Sequence, residues 1–184
     1  VSKLTEVEAE NLFYQYRDYV FKTAFFITRS RSLADDITQE TFIRIYSKYG
    51  SYDTIRPLKP WIYTITVNVT RTHLKKQRWV SLLPFSTNLV KEQLESLDET
   101  VMKSEELNEL WNVVQNLSIK SREVIMLHFY HGFTLKETAE ILSIPLGTCK
   151  SRLHTALKQL RASNAEIISY YVKGGELSEK GRFS

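Results

Sequence analysis

The sequence predicts an all-α protein with helical stretches on either side of a linker. Three observations predict it. Apolar residues recur with a helical period along most of the 184 residues, and no run of strict alternation marks a strand. Six Gly and four Pro are too few for a turn-rich all-β chain. The segment Val80 to Thr100 lacks a clean period, and residues 81–104 hold 2 Lys/Arg against 4 Asp/Glu, so it reads as an acidic connector. Both flanks are positive: 13 Lys/Arg against 8 Asp/Glu in residues 1–80, and 10 against 9 in residues 105–184. The overall charge of +4 is modest, so local stripes must argue for any nucleic-acid partner.

Composition bounds the rest. A hydrophobic fraction of 42% supports a packed core and argues against global disorder. One Cys excludes an intramolecular disulfide and fits a reducing compartment. No apolar run reaches the ~18 residues of a membrane helix. No charged-then-apolar leader opens the sequence, and a cytoplasmic protein without membrane insertion is expected.

Period and capping signals place helices at about 5–29, 33–49, 58–78, 105–116, 119–131, 134–142 and 146–161. Ser32 precedes Asp35 by three and Thr134 precedes Glu137 by three, the spacing of a capping box. Tyr52 to Pro60 holds two prolines and reads as a loop, and Lys173 to Ser184 reads as a frayed tail.

The most informative stretch is Thr134 to Arg161, two short helices joined by a three-residue turn, as in a DNA-binding helix-turn-helix. An α-helix advances ~100° per residue. Leu146, Cys149, Leu153, Ala156, Leu157 and Leu160 then share an apolar arc. Thr148, Ser151, Arg152, Thr155, Lys158 and Gln159 lie opposite, with Lys150 and Arg161 flanking, and no acid falls between Lys150 and Arg161. Small hydroxyl side chains allow close approach to base edges, and Arg grips guanine bidentately. Lys150 and Lys158 suit phosphates, which position rather than specify. Pro145 fits the first turn, where a missing N–H costs little. Charge and spacing alone would equally describe an ordinary basic surface helix; the preceding helix and turn favour DNA. Cys149, on the apolar arc, reads as a small core hydrophobe.

On the helix at 33–49, Ala34, Ile37, Thr41, Phe42 and Ile45 share a core-facing arc. Asp35, Asp36, Gln39 and Glu40 lie on the other side, with Ile43 among them. Taken alone, this is a solvated face with one stray Ile. It also has the make-up of a docking surface for a basic helix, an apolar centre with an acidic rim. Further on, Thr64, Asn68, Arg71, Lys75 and Arg78 recur at helical spacing, with Lys76 just off the stripe and Trp61 and Ile65 toward the apolar side. Basic side chains beside aromatics suit single-stranded nucleic acid, although a solvated Lys/Arg face fits equally well. Tyr49, Tyr52 and Trp61 add stacking candidates, while aromatics at such spacing more often pack in a core.

Together these pieces resemble a bacterial sigma factor of the extracytoplasmic-function type. Three stretches carry the resemblance: Ala34-Asp35-Asp36-Ile37-Thr38-Gln39-Glu40-Thr41-Phe42, then Trp61-Ile62-Tyr63-Thr64-Ile65 with Asn68, then Gly147-Thr148-Cys149-Lys150-Ser151-Arg152-Leu153. A weaker fourth is Leu117 with Arg122-Glu123-Val124-Ile125. They stand in the family's order and cover most of residues 10–161. The resemblance implies two small helical domains. Sigma region 2 occupies 1–79 and sigma region 4, with the helix-turn-helix, occupies 105–165; a flexible linker at 80–104 joins them, and a tail at 166–184 has no assigned role.

It further implies a non-catalytic specificity subunit whose partners are core RNA polymerase, promoter DNA and an anti-sigma factor. Core polymerase falls to Asp35, Asp36, Gln39, Glu40 and Ile43. The minus-10 element falls to the loop near Ser51 to Pro60 and to Trp61, Thr64, Asn68, Arg71, Lys75, Lys76 and Arg78. The minus-35 element falls to Thr148, Lys150, Ser151, Arg152, Thr155 and Lys158. Thr64 and Val67 stand where the family often has basic residues, Thr72 where it often has Asp, Cys149 where Val is usual, and Thr155 where a basic residue is common.

Two other classes compete. A plain helix-turn-helix regulator would need no acidic docking face. An enzyme would need chemistry that is hard to find here: His128 and His131 have i, i+3 spacing but no Cys or carboxylate cluster beside them, and there is neither a glycine-rich phosphate loop nor a nucleophile elbow. No metal, cofactor or catalytic residue is expected.

Overall fold

A computed structural model describes residues 4–81, 114 and 116–163. Every regular element among them is helical. The chain divides into two compact units, Val1–Asp98 and Glu99–Ser184.

In the first unit, α1 (Glu6–Thr28), α2 (Arg31–Lys48) and α3 (Leu58–Ser81) pack on one another. A capping box opens α1: Glu8 N–H donates to Thr5 Oγ1 at 3.3 Å, and Thr5 N–H donates to Glu8 Oε2 at 2.8 Å. Its C-cap is Arg29, a non-glycine residue in left-handed geometry (φ 63°), whose N–H reaches the Phe25 carbonyl at 2.7 Å. The corner leaves one residue before α2. Ser30, not Ser32, is therefore the N-cap, its Oγ accepting from Leu33 N–H at 3.3 Å, and Ser32 lies within the helix. A short 3-10 turn (Tyr49–Ser51) and a loop lead into α3, which runs three residues beyond the predicted end. Val20, Ala24, Ile27, Ala34, Ile37, Phe42, Ile45, Ile62, Tyr63, Val67 and Val69 form the core, as the periodicity requires.

In the second unit, α4 (Ile119–Ile125) passes into a π-turn (Met126–Tyr130) rather than continuing to 131 as an α-helix. The wider turn is closed by His131 N–H donating to the Met126 carbonyl at 3.1 Å, and His128 Nδ1 lies 2.7 Å from the Phe133 carbonyl oxygen. Gly132 then turns the chain with φ 71°, where glycine carries no steric penalty. Helices α5 (Leu135–Leu142) and α6 (Leu146–Ser163) follow, and α6 packs on both α4 and α5. The predicted capping box at Thr134 is present: Glu137 N–H donates to Thr134 Oγ1 at 3.2 Å and Thr134 N–H to Glu137 Oε2 at 2.8 Å. Left-handed Ser143 (φ 53°), Ile144 and Pro145 form the turn. Apart from Val114 and Asn116, the helix expected at 105–116 lies outside the described residues, as do the linker beyond Ser81 and the tail after Ser163.

Candidate nucleic-acid and partner interfaces

The geometry of α2 follows from one side being packed. Ala34, Ile37, Thr38, Thr41, Phe42 and Ile45 are buried against the rest of the unit. This forces Asp35, Asp36, Gln39 and Ile43 outward on the opposite side, with Ile43 66% exposed. Glu40 differs from its neighbours. It is half-buried, its Oε2 lies 2.6 Å from His73 Nε2 on α3, and its Oε1 accepts from Arg44 Nη2 at 2.5 Å. The hydrogen bond with His73, helped by Arg44 and opposed by partial burial, holds the Glu40 carboxyl below its usual range.

A carboxyl whose folded pKa is lowered stabilises the fold above the ordinary carboxylate pKa, and that contribution is lost as pH falls through the lowered value. Glu40→Gln is therefore expected to remove at most ~1 kcal/mol at neutral pH, given the partial exposure of the pair, and nothing in strong acid. Acid unfolding of the two proteins, followed by circular dichroism, checks this.

The loop between α2 and α3 is organised by its own groups. Ile55 N–H donates to Asp53 Oδ1 at 3.1 Å, Arg56 N–H donates to the Asp53 carbonyl at 3.0 Å, and the Tyr52 hydroxyl donates to the Arg56 carbonyl. The Tyr52 ring lies 4.7 Å from Trp61 and 5.8 Å from Tyr49, so these aromatics form a half-buried cluster at the loop base. Ile55, at the tip, is 92% exposed.

On α3 the predicted stripe divides. Asn68, Lys75, Lys76 and Arg78 are exposed; Trp61, Thr64 and Arg71 are half-buried. The Thr64 hydroxyl donates to the Pro60 carbonyl at 2.9 Å, which binds it to its own helix. The exposed line is instead Asn68, Thr72, Lys75 and Trp79, with Lys76 beside it.

On α6, Cys149, Ala156 and Leu160 are buried and Leu153 and Leu157 half-buried, whereas Leu146, at the first turn, is 40% exposed. Burial pushes the Cys149 thiol above its ordinary pKa, as for a small core hydrophobe, with Arg152 opposing weakly. Lys150, Ser151, Thr155, Lys158 and Arg161 face outward, and Thr148 is partly covered. His154 shares this face and was not among the expected readers; its place between Arg161 and Lys158 is visible in helical spacing once the apolar arc is centred on Cys149 and Leu160.

Arg152 departs from expectation. It turns inward, Nη1 3.9 Å from Oε2 of the buried Glu123 on α4, and only 20% of its side chain is exposed. His128 and His131 are engaged in closing the π-turn, and no group of three His, Cys, Asp or Glu gathers at metal-binding distance among the described residues. No described helix is long and apolar enough to cross a membrane.

Comparison with known proteins accounts for both units. The Sigma-70 region 2 family matches residues 12–80, and the Sigma-70, region 4 family matches residues 107–160. The ECF RNA polymerase sigma factor SigW of Bacillus subtilis is 31% identical over 157 residues, covering 79% of this chain and 83% of that protein. SigX of the same organism is 26% identical over 155 residues, covering 82% and 80%. Among solved structures, the sigma factor RpoE of Bartonella quintana in complex with the anti-sigma factor NepR matches with a TM-score of 0.66 at 22% identity, covering 83% of this chain and 94% of that one. CnrH in complex with the cytosolic domain of CnrY matches with a TM-score of 0.61 at 21% identity, covering 88% and 91%. The helical units, the helix-turn-helix and these matches agree, and the chain belongs to the ECF RNA polymerase sigma factors.

Proposed function

We propose that this chain binds core RNA polymerase and directs it to promoters by contacting a minus-10 and a minus-35 element. The observation that carries this reading is the pairing, in one chain, of an exposed acidic α2 face centred on Ile43 with a helix-turn-helix whose outward side is basic. A duplex-binding regulator has a use for the second and none for the first.

Each surface has a role in this reading. Asp35, Asp36, Gln39 and Ile43 dock on a basic helix of the polymerase, with Glu40 buttressing them through Arg44 and His73. The loop from Ser51 to Pro60, above the Tyr49–Tyr52–Trp61 cluster, receives an unstacked minus-10 base. Extrusion of a base costs a few kcal/mol, which its capture must offset, so binding favours the opened strand. Asn68, Arg71, Lys75, Lys76 and Arg78 follow the backbone of that strand, with Thr64 supporting the start of α3. Thr148, Lys150, Ser151, Thr155 and Lys158 meet the minus-35 duplex. Residues 82–104 tether one reader to the other and raise its effective concentration, so that two modest contacts add to a specific one. The protein acts in the cytoplasm, where it performs no catalysis itself. An anti-sigma factor masks these surfaces until it is released; the RpoE–NepR complex is the structural precedent for the fold.

The test is direct. The labelled full chain is titrated with bacterial core RNA polymerase and, separately, with promoter duplex, and anisotropy is recorded. Tight binding to core polymerase supports the proposal; duplex binding without polymerase binding replaces it with a plain regulator. Salt supplies a second expectation. Lys150, Lys158 and Arg161 are exposed and displace counterions on duplex DNA, so the logarithm of affinity should fall linearly with the logarithm of salt, with a slope near −3, about −0.9 for each phosphate neutralised. Lys150→Ala should flatten the slope by about one unit, whereas a flat response in the unsubstituted chain removes phosphate contacts from α6.

A further inference from the structure

Trp79 is 73% exposed near the end of a 24-residue helix. Among the described residues, an indole so placed buries little of its surface and leaves a large apolar area exposed. Its surroundings identify the occupant. Relative to Trp79, Lys75, Thr72 and Asn68 stand 4, 7 and 11 residues back and fall within an arc of roughly 60° on the same side of α3. All three are exposed. Lys76 and Arg78 flank the indole and are also exposed. No acidic residue occurs from Asn68 to Ser81, and Glu40, which reaches α3 from α2, is engaged by His73 and Arg44.

A flat aromatic at the end of an exposed, acid-free line of cations is built for a polyanion carrying flat, unpaired rings. We propose that Trp79 is a stacking residue for an unpaired base of single-stranded DNA, and that the line Asn68, Thr72, Lys75 and Trp79 extends the strand-binding surface roughly 16 Å along α3. The Lys and Arg side chains hold the backbone; the indole accepts any base, because every base offers a ring face. A duplex keeps its bases paired and stacked, so the indole discriminates strand state rather than sequence. The inference rests on the reading of the α3 basic stripe as a DNA surface and extends it beyond the predicted helix end.

The experiment uses the full chain and a short single-stranded DNA of mixed sequence, with the matching duplex as comparator. Trp79→Ala should weaken single-strand binding about five- to a hundredfold while changing duplex binding little. Trp79→Phe should restore most of it. Tryptophan emission of the full chain should be quenched more by the single strand than by the duplex, and Trp79→Phe should remove part of that quenching.

The controls separate the two readings. If Lys75→Ala with Lys76→Ala weakens single-strand binding and Trp79→Ala does not, the stripe stands and the stacking role falls. If none of these changes matters, or the unsubstituted chain binds no single strand, both fall. Equal loss on single strand and duplex overturns the stacking role. A lower melting temperature of Trp79→Ala without DNA also overturns it, because the indole would then be covering part of the chain.

Discussion

Replacing Asp36 with Arg in the full chain is expected to weaken its binding to core RNA polymerase at least ~100-fold, because a like charge set against a basic partner helix costs several kcal/mol. The expectation rests on where the helix presents this carboxylate. Asp36 is exposed, one turn from Gln39 and two from Ile43, and the opposite side of α2 is sealed in the core. A surface substitution clear of caps and core changes stability by no more than about 0.5 kcal/mol, so the fold should survive and the loss is assignable to the interface. Promoter-duplex binding through α6 should be untouched. Ile43→Asp tests the apolar centre of the same face and should also cost affinity, though less, as a truncated contact rather than a repulsion. Anisotropy with core polymerase and single-round transcription are the measurements. A transcriptionally silent Asp36→Arg would remove α2 from the polymerase interface.

Arg152→Ala is expected to act through the fold of the second unit. Its guanidinium reaches the buried Glu123, tying α6 to α4, and Nη1 is itself buried without a hydrogen-bond partner. Loss of a buried charged contact of this kind costs about 1–3 kcal/mol. Hydrogen exchange of the α6 amides reads that loss locally, as faster exchange in the free protein. Duplex affinity should fall as well, because the helix no longer holds its angle. A base-reading Arg behaves oppositely: truncation lowers affinity and leaves exchange unchanged. Arg152→Lys sharpens the contrast, since a point charge on a flexible stem replaces a planar fork poorly at a buried carboxylate. Unchanged exchange in Arg152→Ala would return this residue to the DNA face.

The contact of Arg152 shows where the sequence was legible. The helical period and the Thr134–Glu137 capping box gave element type and most boundaries, because they are written locally. Two contacts that the sequence did not announce share a different cause. Arg152 falls roughly 80° from the centre of the apolar arc of α6, at its edge, and helical arithmetic cannot choose a side there. The choice is made by Glu123, a residue 29 positions earlier. Glu40 likewise belongs to the acidic face by spacing, yet His73, 33 positions away, draws it into the α2–α3 contact. The displaced cap of α2 has a backbone origin: Arg29 takes a left-handed conformation that glycine or asparagine usually marks, so nothing in the sequence announced the corner. The family came from the order of several motifs, since each face alone reads equally well as solvated helix.

The helices of the first unit are laced with threonines whose hydroxyls bond back to the carbonyl four residues earlier. Thr38 reaches Ala34 at 2.7 Å, Thr66 reaches Ile62 at 2.9 Å, and Thr70 reaches Thr66 at 2.8 Å, all in the buried interior. Such a hydroxyl asks nothing of a neighbouring helix. Valine has nearly the same outline, so exchange between the two disturbs one polar group and no interlocking partner. The interior therefore tolerates drift: one position can change without a matched change across the interface. Such a step leaves the outward side chains where they are. The result is a core whose residues can be revised one at a time.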